Sequence, residues 1–439
     1  MKDIRRKALS IIDNVLYKGA FLNEELLIAY NFRDDIRDYN LLTQITTGVV
    51  KNRLLLEYVI RKNSKIRIKK IHKTILNILM IGIYQILFLD KVPNYSVVDE
   101  SVKLAKIYGN KGSIGFTNAI LRNISNSKEK IIQSAFYTEE IENVAEKFSI
   151  LYSHPIEYVQ SLLKEYDEIF VKSLLMANNE KPPFTIRVNT NLIDRESLKK
   201  DLENQGYIVD KTKMSEYGLS IENPSGIIDT KNFKQGQFYV QDEASILAVE
   251  LSDYKAEDIL DLCSAPGGKS INAKLLNPNA TIVSCDISDK KVSLVGENFI
   301  RLNLRTNGII KNDATIYNKN LENKFDLVIV DAPCSGLGLI RRKPEIKWNR
   351  SLENIKGLSK IQSDILKNAA RYVKIKGMII YSTCTITSEE NEDVILEFLK
   401  ENPNFEVLKT MDRETLKLYP NVQGTDGFAI TRLVKINEN

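Results

Sequence analysis

The chain has 439 residues, of which 43% are hydrophobic and 27% charged, which is enough for two or three domains with their own cores. Its four cysteines include no C-x-x-C pair, which argues against a disulfide framework and a structural zinc site. The N-terminus lacks the apolar core of a signal peptide, so we expect a cytoplasmic protein without a membrane partner.

Residues 1–125 carry the apolar spacing of amphipathic helices, first along one face of residues 4–16 and then near 41–60, 72–90, 97–107 and 113–124. The longest apolar stretch, TILNILMIGIYQILFL, is interrupted by Asn77 and Gln85. That pattern favours a buried helix over a membrane span. The sequence therefore predicts an all-α domain over 1–125.

This region is basic, with 21 Lys and Arg against 11 Asp and Glu, whereas the whole chain has a net charge of only +5. The densest run, from Arg61 to Lys73, contains seven basic residues and no acidic one. A basic domain of this kind favours a polyanionic partner such as a nucleic acid. A solvated helical face would account for the same run.

The remainder of the chain predicts two further domains. Residues 126–230 predict linker helices and a small α+β domain, with strand patterns at FTIRVNT and YIVD on either side of a helical RESLKKDLENQG. Over 231–439, strand and helix patterns alternate, which predicts a parallel, doubly wound, Rossmann-like α/β sheet. The predicted strands are Asp258–Leu262, Thr281–Cys285, Gly308–Lys311, Phe325–Val330 and Met378–Ser382.

A glycine turn follows the first of these strands, at Gly267 and Gly268. A phosphate-binding P-loop would need glycine at Cys263, and the dinucleotide fingerprint G-x-G-x-x-G is absent. Asp286 ends the second strand and suits ribose hydroxyls, while Asp313 follows the third and suits an adenine amino group. A nucleoside ligand without a phosphate clamp fits S-adenosylmethionine.

Two cysteines follow the fourth and fifth strands, Cys334 in FDLVIVDAPCSG and Cys384 in GMIIYSTCT. Because ligands of such sheets bind beyond the carboxyl ends of the strands, we expect both thiols and Asp331 beside the glycine turn. A thiolate that adds to carbon 6 of a pyrimidine makes carbon 5 nucleophilic, and a second thiol could assist its later release. Residue patterns alone leave open which thiol attacks. Cys263 and Cys285 flank core strands and are interpreted as buried apolar groups.

Three long motifs, DLCSAPGGKS, DAPCSGLGLIRRKPEIKW and YSTCTITSEENE, resemble those of the RNA (cytosine-5) methyltransferases of the Sun/Fmu group. FKQGQFYVQDEAS and GTDGFAITRL resemble flanking motifs of the same group. The N-terminal domain resembles the NusB antitermination factor, chiefly through NYSVVDESVKLAKIYGNKGSIGFTNAILRNI. Together these likenesses cover nearly the whole chain.

The resemblance implies methylation of carbon 5 of a cytosine in 16S rRNA through a covalent cysteine adduct at carbon 6. It implies that Cys384 is the nucleophile, that Cys334 assists release and that Asp331 contacts the target cytosine. The residues implied to bind S-adenosylmethionine are Cys263, Ser264, Ala265, Pro266, Gly267, Gly268, Lys269, Asp286, Asp313 and Asp331. Ser264 stands where alanine is common, and Ala429-Ile430 where an aromatic pair is usual.

The expected partner is 16S rRNA or a small-subunit assembly intermediate, bound by a monomer that needs no metal. Arg341, Arg342 and Lys343 are candidates for RNA phosphate contacts or for a solvated loop. His72 and His154 match no catalytic motif and are interpreted as surface or packing residues. Alternatives are tRNA or 23S rRNA as substrate, a non-catalytic RNA-binding or antitermination protein, and a nicotinamide oxidoreductase, which the missing glycine fingerprint disfavours.

Overall fold

The computed structural model describes residues 4–33 and 35–438, and the chain divides into two compact units. The first comprises the chain up to Glu180 together with a later segment, Ile340–Asn349. The second comprises Lys181–Leu339 and the chain from Arg350 onward. Within the described ranges, no helix combines the length and the apolar composition that crossing a bilayer requires.

Every regular element described in the first unit is a helix, which confirms the predicted all-α class of the N-terminal region. The helices are α1 (Ile4–Tyr17), α2 (Leu22–Asn31), α3 (Ile36–Lys51), α4 (Arg53–Asn63), α5 (Lys73–Phe88), α6 (Asn94–Tyr108), α7 (Lys111–Asn126), α8 (Lys128–Ile131), α9 (Ala135–Thr138), α10 (Val144–Leu151), α11 (Ile156–Glu165), α12 (Glu168–Ala177) and, in the later segment, α18 (Ile346–Asn349), with a short 3-10 turn at Ile68–Lys70.

Helix α5 is the centre of this unit and contacts α1, α3, α4, α6 and α7. Its two interior polar residues are buried, but each has a partner on α1. Gln85 accepts a hydrogen bond from the Arg5 guanidinium at 3.0 Å, and Asn77 accepts one from the Tyr17 hydroxyl at 3.2 Å. The burial of these residues confirms the prediction of a buried helix, and their hydrogen bonds offset part of the cost, since the Asn77 side-chain nitrogen is buried without a partner among the described residues.

The segment Ile340–Asn349 is held in the first unit by buried polar contacts. The Lys347 ammonium donates to the Ser153 carbonyl at 3.0 Å and to the Asn179 side-chain oxygen at 2.7 Å. The Trp348 indole donates to the Val50 carbonyl at 2.8 Å. Burial holds the pKa of Lys347 well below its ordinary value, since the protein interior disfavours the charged form.

The second unit begins with a small antiparallel sheet in the order β2-β3-β1-β4. Its strands are β1 (Phe184–Val188), β2 (Val209–Lys211), β3 (Gly218–Ile221) and β4 (Phe238–Val240), with helices α13 (Arg195–Glu203) and α14 (Lys231–Lys234) and a 3-10 turn at Ile227–Asp229. Alternate strand residues, among them Ile186, Val188 and Leu219, form its core with Leu198 and Leu202 of α13. The predicted α+β class is confirmed.

A larger sheet follows in the order β10-β12-β9-β8-β5-β6-β7, with β11 paired to β12. Its strands are β5 (Asp258–Asp261), β6 (Thr281–Asp286), β7 (Gly308–Lys311), β8 (Phe325–Asp331), β9 (Val373–Thr383), β10 (Phe405–Leu408), β11 (Thr415–Leu418) and β12 (Phe428–Lys435). The helices of this part are α15 (Glu243–Glu250), α16 (Gly268–Leu276), α17 (Asp289–Arg301), α19 (Leu352–Tyr372) and α20 (Glu392–Glu401), and 3-10 turns lie at Lys319–Leu321, Leu337–Leu339 and Ser388–Glu390.

All five predicted strands are present as β5 to β9, and they pair in parallel. Strands β10 to β12 add an antiparallel edge. Along β8, Leu327 and Ile329 pack into one hydrophobic cluster while Val328 and Val330 pack into another. The sheet is therefore covered on both faces, as the prediction of a doubly wound α/β fold requires.

The close contact between α3 and α5 gives a stability prediction. A methyl group added at Gly48 would lie 1.9 Å from the Tyr84 ring. We expect Gly48→Ala to lower the free energy of unfolding by about 1–3 kcal/mol through overpacking, although alanine is the better helix former. Urea unfolding followed by far-UV circular dichroism would measure the change.

The matched control is Gly115→Ala in α7, where no neighbouring atom lies within 4 Å of the added methyl group. Its stability should stay unchanged or rise by up to about 1 kcal/mol. Equal stability of Gly48→Ala and the wild type would show that the two helices do not approach as described.

Candidate active site

The turns after β8 and β9 bring two thiols into contact. The two strands are parallel, with Asp331 paired to Ser382, so both end at the same edge of the sheet. Cys334 lies in the turn after β8, and Cys384 directly follows β9. Their sulfur atoms are 2.8 Å apart, and neither cysteine forms a disulfide. The Cys384 backbone N–H also donates to the Cys334 sulfur at 3.3 Å.

The surroundings of Cys334 disfavour its thiolate. Its hydrogen bond with the Cys384 sulfur raises the pKa of Cys334 well above the ordinary value, and burial acts in the same direction. The charges of Cys384, Glu390 and Asp331 raise it further. Cys334 therefore holds its proton at neutral pH.

Asp331 connects the thiol pair to the glycine turn. Its carboxylate accepts a hydrogen bond from the Ser382 hydroxyl at 3.0 Å and forms an ion pair with Lys269 at 2.8 Å. The buried Lys269 ammonium also lies 5.1 Å from the centre of the Phe428 ring. Lys269, which the family resemblance assigns to the cofactor, is thus placed between the turn and the end of β8.

The glycine turn is held in shape by hydrogen bonds of its backbone and of the Ser264 side chain. Gly267 has φ +106°, a conformation that favours glycine, and it directly precedes α16 as its N-cap residue. Its N–H donates to the Ser264 carbonyl at 2.6 Å. Ser264 in turn donates to the Cys285 carbonyl through its N–H at 2.8 Å and its hydroxyl at 2.9 Å. The peptide bond between Ala265 and Pro266 is cis. The Ser264 side chain therefore holds the turn against β6.

The predicted acidic residues lie at neighbouring strand ends. The buried Asp286 carboxylate accepts from the Ala265 N–H at 3.0 Å and pairs with Lys291 at 3.1 Å. One oxygen of Asp313 accepts from both the N–H and the hydroxyl of Thr315. The Asn312 N–H joins the two strand ends by donating to the Asp286 carbonyl at 2.9 Å. The turn, Asp286 and Asp313 thus converge at one edge of the sheet.

The sequence reasoning missed Asp261, the last residue of β5. One of its carboxylate oxygens accepts from the Ser270 hydroxyl at 2.5 Å, and the other is buried without a hydrogen-bond partner among the described residues. Burial raises the pKa of Asp261 to about 7. An unpartnered buried oxygen beside the glycine turn fits a ligand that brings a donor or a positive charge, as S-adenosylmethionine does. The sequence signal for Asp261 was its position as the acidic last residue of DILD, directly before the glycine turn.

The side chains of the other residues singled out in the sequence have different surroundings. The Cys285 side chain is fully buried, and burial raises its pKa to about 12. His154 is fully buried, and burial lowers its pKa well below the ordinary value, whereas His72 is exposed. Arg341 is buried in the first unit, and the Lys343 ammonium lies 5.9 Å from the ring of Phe21. In the described ranges, no cluster of three or more His, Cys, Asp or Glu side chains suits a metal ion.

Comparison with known families divides the chain into three parts. Residues 2–126 match the NusB family, residues 154–228 the RsmF/B-like ferredoxin-like domain, and residues 248–434 the 16S rRNA methyltransferase RsmB/F family. The matches follow the order expected from the sequence motifs. The predicted family resemblance is confirmed.

Full-length relatives have the same arrangement. The probable ribosomal RNA small subunit methyltransferase B of Bacillus subtilis is 31% identical, over 99% of this chain and 98% of the relative. The enzyme named ribosomal RNA small subunit methyltransferase B in Citrobacter koseri is 29% identical, over 99% of both chains. A crystal structure titled PH0851 superposes with a TM-score of 0.78 at 23% identity, over 98% of both chains, which shows the shared fold.

The raised pKa of Asp261 predicts a pH dependence of stability. Because its pKa in the folded state is about 7 and its ordinary value 3.8, folding favours the protonated carboxyl. The stability that this preference provides is lost as the pH rises from about 4 to about 7. We expect the wild type to lose stability relative to Asp261→Asn over this range, as urea unfolding at a series of pH values would measure.

Asp258, at the other end of β5, provides a control of opposite sign. Its hydrogen bond with the Lys374 ammonium lowers its pKa. The wild type should therefore be more stable than Asp258→Asn at neutral pH and lose that advantage as the pH falls through the lowered pKa. If the stability difference between the wild type and the variant changed with pH in the same direction for Asp261→Asn and Asp258→Asn, the opposite pKa shifts of the two aspartates would be contradicted.

Proposed function

The chain belongs to the ribosomal RNA small subunit methyltransferase B family, and on this basis we propose that it methylates carbon 5 of a cytosine in 16S rRNA, with S-adenosylmethionine as the methyl donor. The observation that carries this proposal is the 2.8 Å contact between the Cys334 and Cys384 thiols at the edge that holds the glycine turn. Methyl transfer to an amine or a hydroxyl needs no thiol. Transfer to a pyrimidine carbon needs one sulfur that adds and a group that assists its release.

The proposed reaction begins at Cys384. Its thiolate adds to carbon 6 of the cytosine, which breaks the double bond between carbons 5 and 6 and makes carbon 5 nucleophilic. S-adenosylmethionine would supply the electrophilic methyl group to carbon 5, with the bond between that methyl group and the sulfonium sulfur breaking and S-adenosylhomocysteine as the leaving group. Removal of the proton from carbon 5 restores the double bond, breaks the bond between sulfur and carbon 6, and returns the Cys384 thiolate.

Cys334 is proposed as the base of this last step. The main cause of its raised pKa is the interaction with the Cys384 sulfur. That interaction weakens once Cys384 becomes an uncharged thioether, which lowers the pKa of Cys334 relative to its value before attack. In the proposed step Cys334 then releases its proton to water. The N–H of Cys384 that donates to the Cys334 sulfur stabilises the resulting thiolate. This thiolate accepts the proton of carbon 5, and the full reaction releases one proton to solvent.

The remaining site residues are proposed to bind the two substrates. Asp331, held by Lys269 and Ser382, would contact the polar edge of the cytosine. The residues of the turn from Cys263 to Lys269, with Asp286 and Asp313, would hold S-adenosylmethionine, and the unpartnered oxygen of Asp261 would face the same ligand. The cytosine must leave its base stack to reach the thiols.

The RNA partner is proposed to be 16S rRNA, free or within a small-subunit assembly intermediate. The basic run from Arg61 to Lys73 supports this proposal, because nearly all of its basic side chains are exposed on the first unit and can contact phosphates. Under-methylated 16S rRNA, 23S rRNA and tRNA should be compared as substrates by bisulfite sequencing. We expect one new 5-methylcytosine in 16S rRNA, and methylation of only 23S rRNA or tRNA would reassign the substrate.

Substitution of the two cysteines tests the chemistry. Cys384→Ala should lower turnover by several orders of magnitude, because it removes the nucleophile. Cys334→Ala should still form the covalent bond but fail to release it, and a protein–RNA adduct should then survive denaturing electrophoresis. Methyl incorporation and adduct yield are the measurements.

The control is Cys285→Ala, which removes a thiol packed in the hydrophobic core of the sheet. This variant should methylate the RNA and leave no protein–RNA adduct. Full activity of Cys384→Ala, or no adduct with Cys334→Ala in the presence of S-adenosylmethionine, would overturn the proposed chemistry.

A further inference from the structure

A fully buried carboxylate, Glu390, lies against the Cys334 turn. It ends the 3-10 turn Ser388–Glu390, a few residues after Cys384. One of its oxygens accepts from the Ser335 N–H at 2.7 Å and from Gln362 at 3.1 Å. The other accepts from the Ser335 hydroxyl at 2.5 Å and from the Thr387 hydroxyl at 2.9 Å. Four donors to one carboxylate form a well-satisfied buried network.

These contacts fix both neighbours of Cys334. Ser335, which follows it, bonds to Glu390 directly through two groups. Pro333, which precedes it, is connected to Glu390 through Gln362 of α19. The Gln362 amide donates to Glu390 and also to the Pro333 carbonyl, at 3.0 Å. The Cys334 turn therefore has little freedom to move its sulfur away from Cys384.

Cys384 has supports of its own. Its carbonyl accepts from the Gly338 N–H at 3.0 Å, and the preceding residue, Thr383, donates through its hydroxyl to Asn391 at 2.7 Å. Loss of the Glu390 carboxylate would leave these two bonds in place. The two thiols are thus positioned by partly separate sets of hydrogen bonds.

We propose that Glu390 is a positioning residue for the release step of the reaction, which holds the Cys334 sulfur in place through Ser335 and Gln362 without touching the RNA. This inference deepens the proposed function and rests on it. In addition, the negative charge of Glu390 raises the pKa of Cys334, so the same side chain favours the protonated thiol before attack.

The test is the adduct formed by Glu390→Ala with under-methylated 16S rRNA and S-adenosylmethionine. Single-turnover adduct formation should keep the wild-type order of magnitude. Release should slow by about 10-fold or more, because displacement of a catalytic group by about 1 Å can cost a factor of about 100. An adduct that survives denaturation should therefore accumulate, as with Cys334→Ala, and be absent from the Glu390→Ala, Cys384→Ala double variant.

Two further variants separate positioning from folding. Glu390→Gln keeps an oxygen that can accept from the Ser335 N–H and from Gln362, so it should restore most of the release rate. Gln362→Ala removes the link to Pro333 and one of the four donors to Glu390, while both bonds from Ser335 to Glu390 remain, and it should accumulate adduct even where Glu390→Ala fails to fold. Normal release by Gln362→Ala would overturn the proposal.

The control is Glu243→Ala, at a buried carboxylate that accepts from the N–H groups of Met214 and Ser215 at 2.6 and 2.9 Å. It should lower stability without any accumulation of adduct. Equal loss of adduct formation and turnover in Glu390→Ala would show a purely structural role and overturn the inference alone. Absence of adduct from Cys334→Ala would overturn the proposed function together with it.

Discussion

The site depends on the parallel pairing of β8 with β9. Because Asp331 lies opposite Ser382, the two strands end together and the turns that follow them meet sulfur to sulfur. A shift of one residue would turn every side chain of a strand to the opposite face. The two hydrophobic clusters, with Ile329 in one and Val330 in the other, oppose such a shift. Packing of the sheet therefore sets the distance between the thiols.

The antiparallel strands β10 to β12 also help to position the two cysteine turns. The backbones of Gly338 and Gly427 touch, with a hydrogen bond of 2.9 Å from Gly427 to Gly338, and a methyl group added at Gly338 would lie 1.8 Å from the Gly427 carbonyl oxygen. Only glycine permits this approach. Gly338 also bonds to the Cys384 carbonyl, and Gly427 directly precedes β12, which pairs with β9. The C-terminal strands thus bring a third loop against the two cysteine turns.

Much of the fold could be predicted from residue patterns, because the apolar residues of longer elements such as β8 and α5 indicate their burial directly. Strands β3, β4, β10 and β11 are only three or four residues long, and their partners rather than their composition define them. The place of Ile340–Asn349 within the helical unit had no local signal either. A basic Arg-Arg-Lys run is typical of a solvated loop, yet Arg341 is buried. Lys347 of the same segment is also buried, and it donates to the carbonyl of Ser153, a residue that is distant in the sequence.

The lack of a local sequence signal also separates the site residues that could be predicted from those that could not. Cys334 and Cys384 stand out because each lies in a polar turn that follows its strand, whereas Glu390 and Asp261 have a residue type that is usually exposed. Only the folded chain shows that Ser335, Gln362 and Ser270 supply their hydrogen bonds. The negative charge of the buried Glu390 adds to the interaction with Cys384 and to burial in raising the pKa of Cys334, since charges act strongly where water is excluded. In the proposed mechanism, attack by Cys384 removes the main interaction that keeps Cys334 protonated, so the first thiol prepares the second for release.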